Sequence, residues 1–292
     1  MHFHESPARR LIVGIYSFAC LRFDYDSNVT QPRYPRDARS PVSDADSSHV
    51  SAPRSNDVII PKLDFQAVIL AGGLGTRMRP MTETIPKPMI PVCGRPFLHH
   101  QLELLRRNGF RRVLLLVAYL GEQIEQHFGD GASLGIKLNY SYEPAPLGTG
   151  GAIRNARDKL EEIFLLLNGD TFLAVDYSAL LADFRRHMPT ATIVAYEGQR
   201  SDVVNNLAVA PSGCVTAYQK RHPQGMTHLD AGAIVLDRKV LQDISPERTC
   251  SLEEEVFPRL IEQRRMRAWI TREPFFDMGS AEGLKTLAAR LG

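Results

Sequence analysis

Three short stretches of the chain carry unbroken apolar runs: FQAVIL (65–70), RRVLLLVAY (111–119) and IFLLLNGD (163–170). None of them alternates polar with apolar residues, so each needs cover on both faces. Strands of that kind belong inside a largely parallel sheet with helices packed above and below. The segments between them have helical spacing. PFLHHQLELLRRNG (96–109) opens on a proline and ends at Gly109, and GEQIEQHFG, GGAIRNARDKL, YSALLADFRRHM and the terminal SAEGLKTLAARL follow the same pattern. IKLNYSYE (136–143) and ATIVAYE (191–197) add strands, and NLAVA, CVTAYQK and DAGAIVL add shorter ones with loops between. CSLEEEVFPRLIEQR opens a helix with a capping box, Ser251 and Glu254, and its three glutamates suit the positive end of the helix dipole, a structural role. MRAWITR and PFFDM are expected to close the sheet. The prediction is an α/β domain over 63–292, with a mainly parallel mixed sheet and a small antiparallel insertion.

Residues 1–62 read differently. They are rich in Ser, Pro, Asp and Arg and have little apolar periodicity, so they are expected to be disordered. Within them, RRLIVGIYSFACL resembles the n- and h-regions of a signal peptide, although Ser17 stands where a lipoprotein signal wants an aliphatic residue. The alternatives are a fortuitous apolar patch or a start site placed too far upstream, with Val58 or Leu63 as later starts. Mass spectrometry of the mature N-terminus separates these readings.

Bulk properties narrow the function classes. A net charge of +2 gives no strong field for nucleic acid or an anionic membrane. No apolar run approaches the roughly 20 residues that span a bilayer. Cys20, Cys93, Cys214 and Cys250 are scattered without a C-x-x-C pair, which argues against a disulfide framework or a zinc site. His99 and His100 are adjacent and point to different sides of a helix, so they are not paired metal ligands.

Directly after the first strand comes LAGGLGTRMRP (70–80). A dinucleotide fingerprint needs a third glycine where Met78 stands, and a P-loop needs a lysine that is absent. What remains is a glycine loop able to turn successive N–H groups toward an anion, with Arg77 as a permanent cation beside it. The alternative is a tight turn whose glycines serve packing alone. A few residues on, IPKPMIPV holds Lys87 between two prolines. A stiffly held lysine can neutralise charge on a reacting phosphate, or it can be an ordinary surface lysine.

These features together, AVILAGGLGTRMRPMTETIPKPMIPVCGRPFL, resemble the opening of the sugar-1-phosphate nucleotidyltransferases, also called NDP-sugar pyrophosphorylases. That family carries G-G-x-G-T-R-[LM], then P-K-[PA], then V-x-G-[KR]-P, and all three occur in order. YEPAPLGTGGAI (142–153), LLLNGDTF and FFDMGS (275–280) continue the likeness, which runs from about Phe65 to the C-terminus. The resemblance implies a three-layer αβα Rossmann-like nucleotidyltransferase fold with its antiparallel insertion on the sugar side. It implies that an NTP and a sugar 1-phosphate react to an NDP-sugar and pyrophosphate, with Mg2+ as cofactor. Leu70, Gly72, Gly73, Gly75 and Thr76 would cradle the nucleotide, Arg77 would stabilise pyrophosphate, and Lys87 would sit near the α-phosphate. Asp170 and Asp277 would hold magnesium, and Glu143 and Gly148 would contact the base. Lys220, Asp230 and Asn205 fall on the sugar side. For Asp277 a capping carboxylate before the last helix stays open.

The departures all lie on that sugar side. SDVVNNLAV replaces the family's Y-G-V-V region, Gln219 replaces an acidic residue before Lys220, and Asp230 stands where many relatives have Asn. EPAPLGTGGAI and SLEEEVFPRL are most similar to the heptose 1-phosphate guanylyltransferase branch, with mannose-1-phosphate guanylyltransferases near neighbours. Glu143 could accept from the guanine N1–H and 2-amino group, which favours GTP. UTP, dTTP or CTP with a hexose 1-phosphate is the alternative. A non-catalytic member of the fold would typically lose Arg77, Lys87 or the aspartates, and all are present. The expectation is a cytoplasmic enzyme with small-molecule substrates and neither nucleic acid nor membrane as partner. A homo-oligomer is compatible with the sequence.

Overall fold

The computed structural model describes residues 65–198, 204–220, 224–246, 248–279 and 281–291. The expectations for residues 1–62 lie outside these. The described chain builds β1 (Gln66–Leu70), a two-residue hairpin of β2 (Pro91–Val92) and β3 (Arg95–Pro96), α1 (Phe97–Arg107), β4 (Arg112–Val117), α2 (Gly121–Phe128), β5 (Lys137–Tyr142) and α3 (Gly148–Asn155). It continues through β6 (Ile163–Asn168), β7 (Thr171–Leu173), α4 (Tyr177–His187), β8 (Ala191–Tyr196), β9 (Leu207–Val209), β10 (Val215–Tyr218) and β11 (Leu229–Asp237). The last elements are α5 (Phe257–Glu262), β12 (Met266–Thr271), β13 (Phe275–Asp277) and α6 (Ala281–Leu291).

The central sheet has seven strands in the order β12-β8-β11-β6-β1-β4-β5. β1 runs parallel to both β4 and β6, β4 to β5, and β12 to β8, whereas β11 is antiparallel to β6 and β8. The pleat explains the unbroken apolar runs. Ala67 and Ile69 pack on one face with Leu98 and Leu102 of α1 and Phe184 of α4, while Val68 packs on the other with Ile153 of α3 and Leu260 of α5. Both faces are therefore dry, giving three layers. β9 and β10 form the antiparallel insertion and are tied to the sheet edge through a bridge between Cys214 and Arg267.

Two expectations need correction. β12 closes the sheet, but β13 does not join it: Phe275–Asp277 pairs with β7 in a separate two-stranded ribbon. β7 follows β6 after only a two-residue turn and pairs with β13 rather than with a strand of the central sheet. The expected capping box is also displaced. Ser251 Oγ accepts from Glu254 N–H at 3.2 Å, but the Ser251 N–H is taken by Glu255 at 3.2 Å. Leu252–Val256 is a wide π turn, which moves the returning carboxylate one residue on.

The chain leaves β1 toward β4 and β5, then returns to place β6 on the other side of β1. The carboxyl ends of β1 and β6 thus flank a topological switch point, the place where open α/β sheets bind ligands.

Candidate active site

A cleft of about 550 Å³ opens at that switch point. Its lining includes Leu70, Gly72, Gly73, Gly75, Thr76, Arg77, Lys87, Glu143, Gly148, Asp170, Lys220 and Asp230. Asp277 and Asn205 are not part of the lining.

The three glycines of the loop differ in what their surroundings require. A Cβ on Gly72 would stand 2.9 Å from both Ala118 Cβ and Glu143 Oε1, so packing requires that glycine. Gly75 has φ +60°, and its carbonyl accepts from Thr82 Oγ at 2.9 Å. Gly73 has no neighbour within 4 Å of a built Cβ and is open to the cleft. The loop is locked at two glycines and left accessible at the third. Thr76–Met78 then makes one helical turn that carries Arg77. A Cβ on Gly279 would lie 3.3 Å from the Arg77 guanidinium, so the arginine extends over the turn after β13.

Lys87 is not a surface lysine. It is buried between Pro86 and Pro88, also buried, and its Nζ meets Asp170 Oδ2 at 2.5 Å. Asp170 sits in the turn between β6 and β7, a turn fixed from three directions. Gly169 packs so close to the Leu70 carbonyl that a Cβ would lie 2.2 Å from it. Gln101, buried on α1, donates to the carbonyls of both Asn168 at 2.9 Å and Thr171 at 2.6 Å. The Met278 N–H donates to the Asp170 carbonyl at 2.9 Å. In the ribbon Asp277 stands opposite Thr171, which brings the two aspartates, 107 positions apart, onto adjoining positions. Asp277 Oδ1 also accepts from Gly279 N–H at 2.7 Å, a local turn ahead of α6. No third His, Cys, Asp or Glu completes a metal-binding group among the described residues.

Glu143 follows β5. Its N–H extends the ladder to the Val117 carbonyl, and its Oε2 accepts from Leu147 N–H at 3.0 Å. Burial pushes its carboxyl up, partly offset by the Leu147 bond. Gly148 has φ +77°, and a Cβ there would stand 2.6 Å from the Cys250 carbonyl oxygen. That carbonyl accepts from Gly150 and Gly151 N–H at 2.8 and 3.2 Å, and Cys250 N–H donates to Leu147 at 2.9 Å. The loop ahead of α5 is in this way stitched to the start of α3.

Asp230 is enclosed at the far end. Its Oδ1 accepts from Gly232 N–H at 2.8 Å and its Oδ2 from the Tyr218 hydroxyl at 3.0 Å. Burial raises its carboxyl to about 6 against the pull of those two bonds. Burial likewise raises the Tyr218 phenol. Asn206, rather than Asn205, reaches this group: its Oδ1 accepts from Asp230 N–H at 2.8 Å.

Sequence patterns missed several residues that the fold brings to the site. Thr149, Asn168, Tyr218 and Glu253 line the cleft, and Gln101 pins the Asp170 turn. The three glutamates diverge: Glu253 lines the cleft, while Glu255 pairs with Arg248 at 2.5 Å. Only the π turn separates their directions, and nothing in S-L-E-E-E announces it.

A cleft at a sheet switch point, bordered by a glycine loop and a lysine–aspartate pair, is the ligand-site arrangement of open α/β proteins. The comparisons name the class. The model of the family described as nucleotidyl transferase matches residues 66–291, and the chain belongs to that family. It is 34% identical to a mannose-1-phosphate guanylyltransferase of Mycobacterium tuberculosis over 220 residues, covering 74% of this chain but 61% of that protein. The chain thus spans less than two thirds of the length of its mannose-named relatives. It is 33% identical to a D-glycero-alpha-D-manno-heptose 1-phosphate guanylyltransferase of Campylobacter jejuni, over 75% of this chain and 96% of that one. The crystal structure of HddC from Yersinia pseudotuberculosis complexed with GMP-PN superposes with a TM-score of 0.68 at 28% identity, over 78% of this chain and all of HddC.

Proposed function

We propose that the protein joins a nucleoside triphosphate, GTP by preference, to a heptose- or mannose-type sugar 1-phosphate, releasing pyrophosphate. The observation that carries this reading is the single cleft that runs from the glycine loop past Lys87 and Asp170 to Lys220 and Asp230. Its two ends differ in chemistry. The loop end offers backbone N–H groups and two cations to a polyphosphate, and the other end offers carboxylates and hydroxyl groups to a polyol.

In the reaction the sugar phosphate oxygen attacks the α-phosphorus, the α–β bridging oxygen departs with pyrophosphate, and no proton needs to be removed from the nucleophile. The residues therefore act by placement and charge. The open face at Gly73 and Thr76 holds the triphosphate, and Arg77 spreads the charge that builds on the leaving pyrophosphate. Lys87 exchanges its partner Asp170 for phosphate oxygen. Lys220 draws the sugar phosphate toward the same point. The ammonium resting on Asp170 supports placing positive charge there, and the donor set of two carboxylates fits a hard ion whose other ligands are phosphate oxygens and water. Asp170 and Asp277 would hold magnesium, which supplies further neutralisation of phosphate charge.

Glu143 favours guanine because a half-buried carboxylate accepts hydrogen bonds and can meet both the N1–H and the 2-amino group. The heptose or mannose preference rests on the two relatives of those names. No helix among the described residues is long and apolar enough to cross a membrane, and the nucleoside triphosphates lie in the cytoplasm, where we place the protein. Pyrophosphate release measured with each NTP against heptose, mannose and glucose 1-phosphates tests the reading. Absence of turnover with every pair, in folded protein supplied with magnesium, would overturn it.

A further inference from the structure

Glu253 is fixed from three elements. Its Oε2 accepts from the Ser251 hydroxyl at 2.7 Å and from the Thr149 hydroxyl of α3 at 2.8 Å, and Lys220 Nζ lies 3.6 Å away. The Thr149 oxygen in turn accepts from Leu252 N–H at 2.9 Å, so one hydroxyl both anchors the loop and aims its carboxylate. Helix capping explains Ser251 but not this second clamp. The side chain is only 14% exposed, yet it lines the cleft. It also borders, with Asp230 and Asn168, a recess of about 20 Å³ that opens behind the sugar end. A space of that size admits one hydroxyl or one water molecule.

We propose that Glu253 reads the hydroxyl pattern of the sugar and that Thr149 is its positioning residue. This rests on the nucleotidyl-transfer reading above and adds to it the residue that selects the second substrate. Lys220 is the cation at this end that meets the sugar phosphate, and the carboxylate of Glu253 beside it repels phosphate, so the group Glu253 itself receives is a hydrogen-bond donor. A carboxylate has only acceptor sites, and sugar hydroxyls are the donors that the second substrate brings. Burial favours the neutral form of Glu253, but the Lys220 charge and the Ser251 and Thr149 hydroxyls outweigh it and hold the carboxyl below its ordinary value. A charged acceptor in a fixed direction penalises any sugar that lacks the matching hydroxyl, because its own bonding is then left unmet.

The test is steady-state kinetics of E253Q, T149V and T149S with GTP and mannose 1-phosphate, its monodeoxy analogues and a manno-heptose 1-phosphate. E253Q should raise KM for the preferred sugar phosphate by about tenfold or more and leave KM for GTP within about twofold. It should also erase discrimination against one deoxy analogue. T149V should raise the same KM by roughly threefold to tenfold, and T149S, which keeps both hydrogen bonds, should restore it. Unchanged sugar KM in E253Q, or an equal penalty on every analogue, would overturn the inference. Equal impairment in T149S and T149V would remove the positioning role. Wild-type turnover decides the underlying reaction separately: an active wild type with an indifferent E253Q sinks this inference alone, whereas an inert wild type sinks both. Thermal melting of each variant identifies any loss that comes from unfolding, and E253D then serves as the folded substitute.

Discussion

The two ends of the cleft are built in opposite ways. The proposed phosphate end comes from three short local stretches: a glycine loop, a Pro-Lys-Pro segment and one turn after β6. The proposed sugar end is assembled from single side chains on separate elements, Tyr218 and Lys220 by β10, Asp230 on β11, Thr149 on α3 and Glu253 before α5. Chemistry common to a family can be written into short loops, because backbone N–H groups and tight turns serve every sugar equally. Selection among sugars needs side chains, and these can be changed one at a time without disturbing the phosphate frame.

That contrast can be broken or sharpened by substitution, beginning where the effect should be largest. Arg77→Ala and Asp170→Asn should each lower kcat by roughly 10²- to 10³-fold with any accepted sugar, the magnitude expected for removing a main electrostatic contact to the transferring group. Stopped-flow or coupled pyrophosphate assays measure this. A wild-type kcat in either variant would detach the phosphate end from catalysis.

Gly148→Ala probes the junction between the ends. The positive φ and the 2.6 Å approach to the Cys250 carbonyl leave no room for a methyl group. The expected cost is about 1–3 kcal/mol, read as a shift in the denaturation midpoint. Retained stability would mean that the loop ahead of α5 is not locked to α3.

Glu143→Gln should reduce the kcat/KM ratio of GTP to UTP by about tenfold while leaving sugar selection unchanged, because it exchanges a charged acceptor for an amide at the base. Competition between the two triphosphates in one reaction reads the ratio directly. Undiminished GTP preference would place base recognition elsewhere.

The smallest effect is expected at Asp230. Its folded carboxyl titrates at about 6 rather than 3.8, so the folded state keeps a proton that the unfolded chain gives up between those values. The stability this contributes is complete below the unfolded value and is lost as pH rises through about 6. Asp230→Asn keeps the acceptor for Gly232 N–H and carries no charge. Its melting temperature relative to wild type should therefore be higher at pH 8 than at pH 5 by roughly 2–4 °C. A pH-independent difference would show that Asp230 titrates normally.

The asymmetry also explains what was legible in the sequence. Unbroken runs such as AVIL and LLLV announce strands buried on both faces, and the pleat divides them as expected, Ala67 and Ile69 to one side and Val68 to the other. Gly72, Gly75, Lys87 and Asp170 lie within local patterns, and the fold collects all four at one cleft. Glu253 was unreadable because its direction depends on a π turn and on a hydroxyl 104 positions away. Gln101 was hidden in an amphipathic helix, where a buried amide resembles an interruption of the apolar face. Asn205 and Asn206 could not be told apart for a similar reason: only the strand pairing places Asn206 against Asp230. β13 was misplaced because a three-residue apolar strand carries no sign of which sheet it joins.

The stitch between Cys250 and α3 has a consequence for the local field. Helix starts commonly lend their free N–H groups and the positive end of the dipole to an anion. α3 begins at the cleft wall, yet its Gly150 and Gly151 N–H groups are already spent on the Cys250 carbonyl. Two of its leading N–H groups are thus withdrawn from any ligand, which on the proposed reading leaves more of the phosphate binding to the 72–77 loop with Arg77 and Lys87. Freeing that helix end for an anion would require the 250–252 segment to withdraw, and Glu253 would go with it.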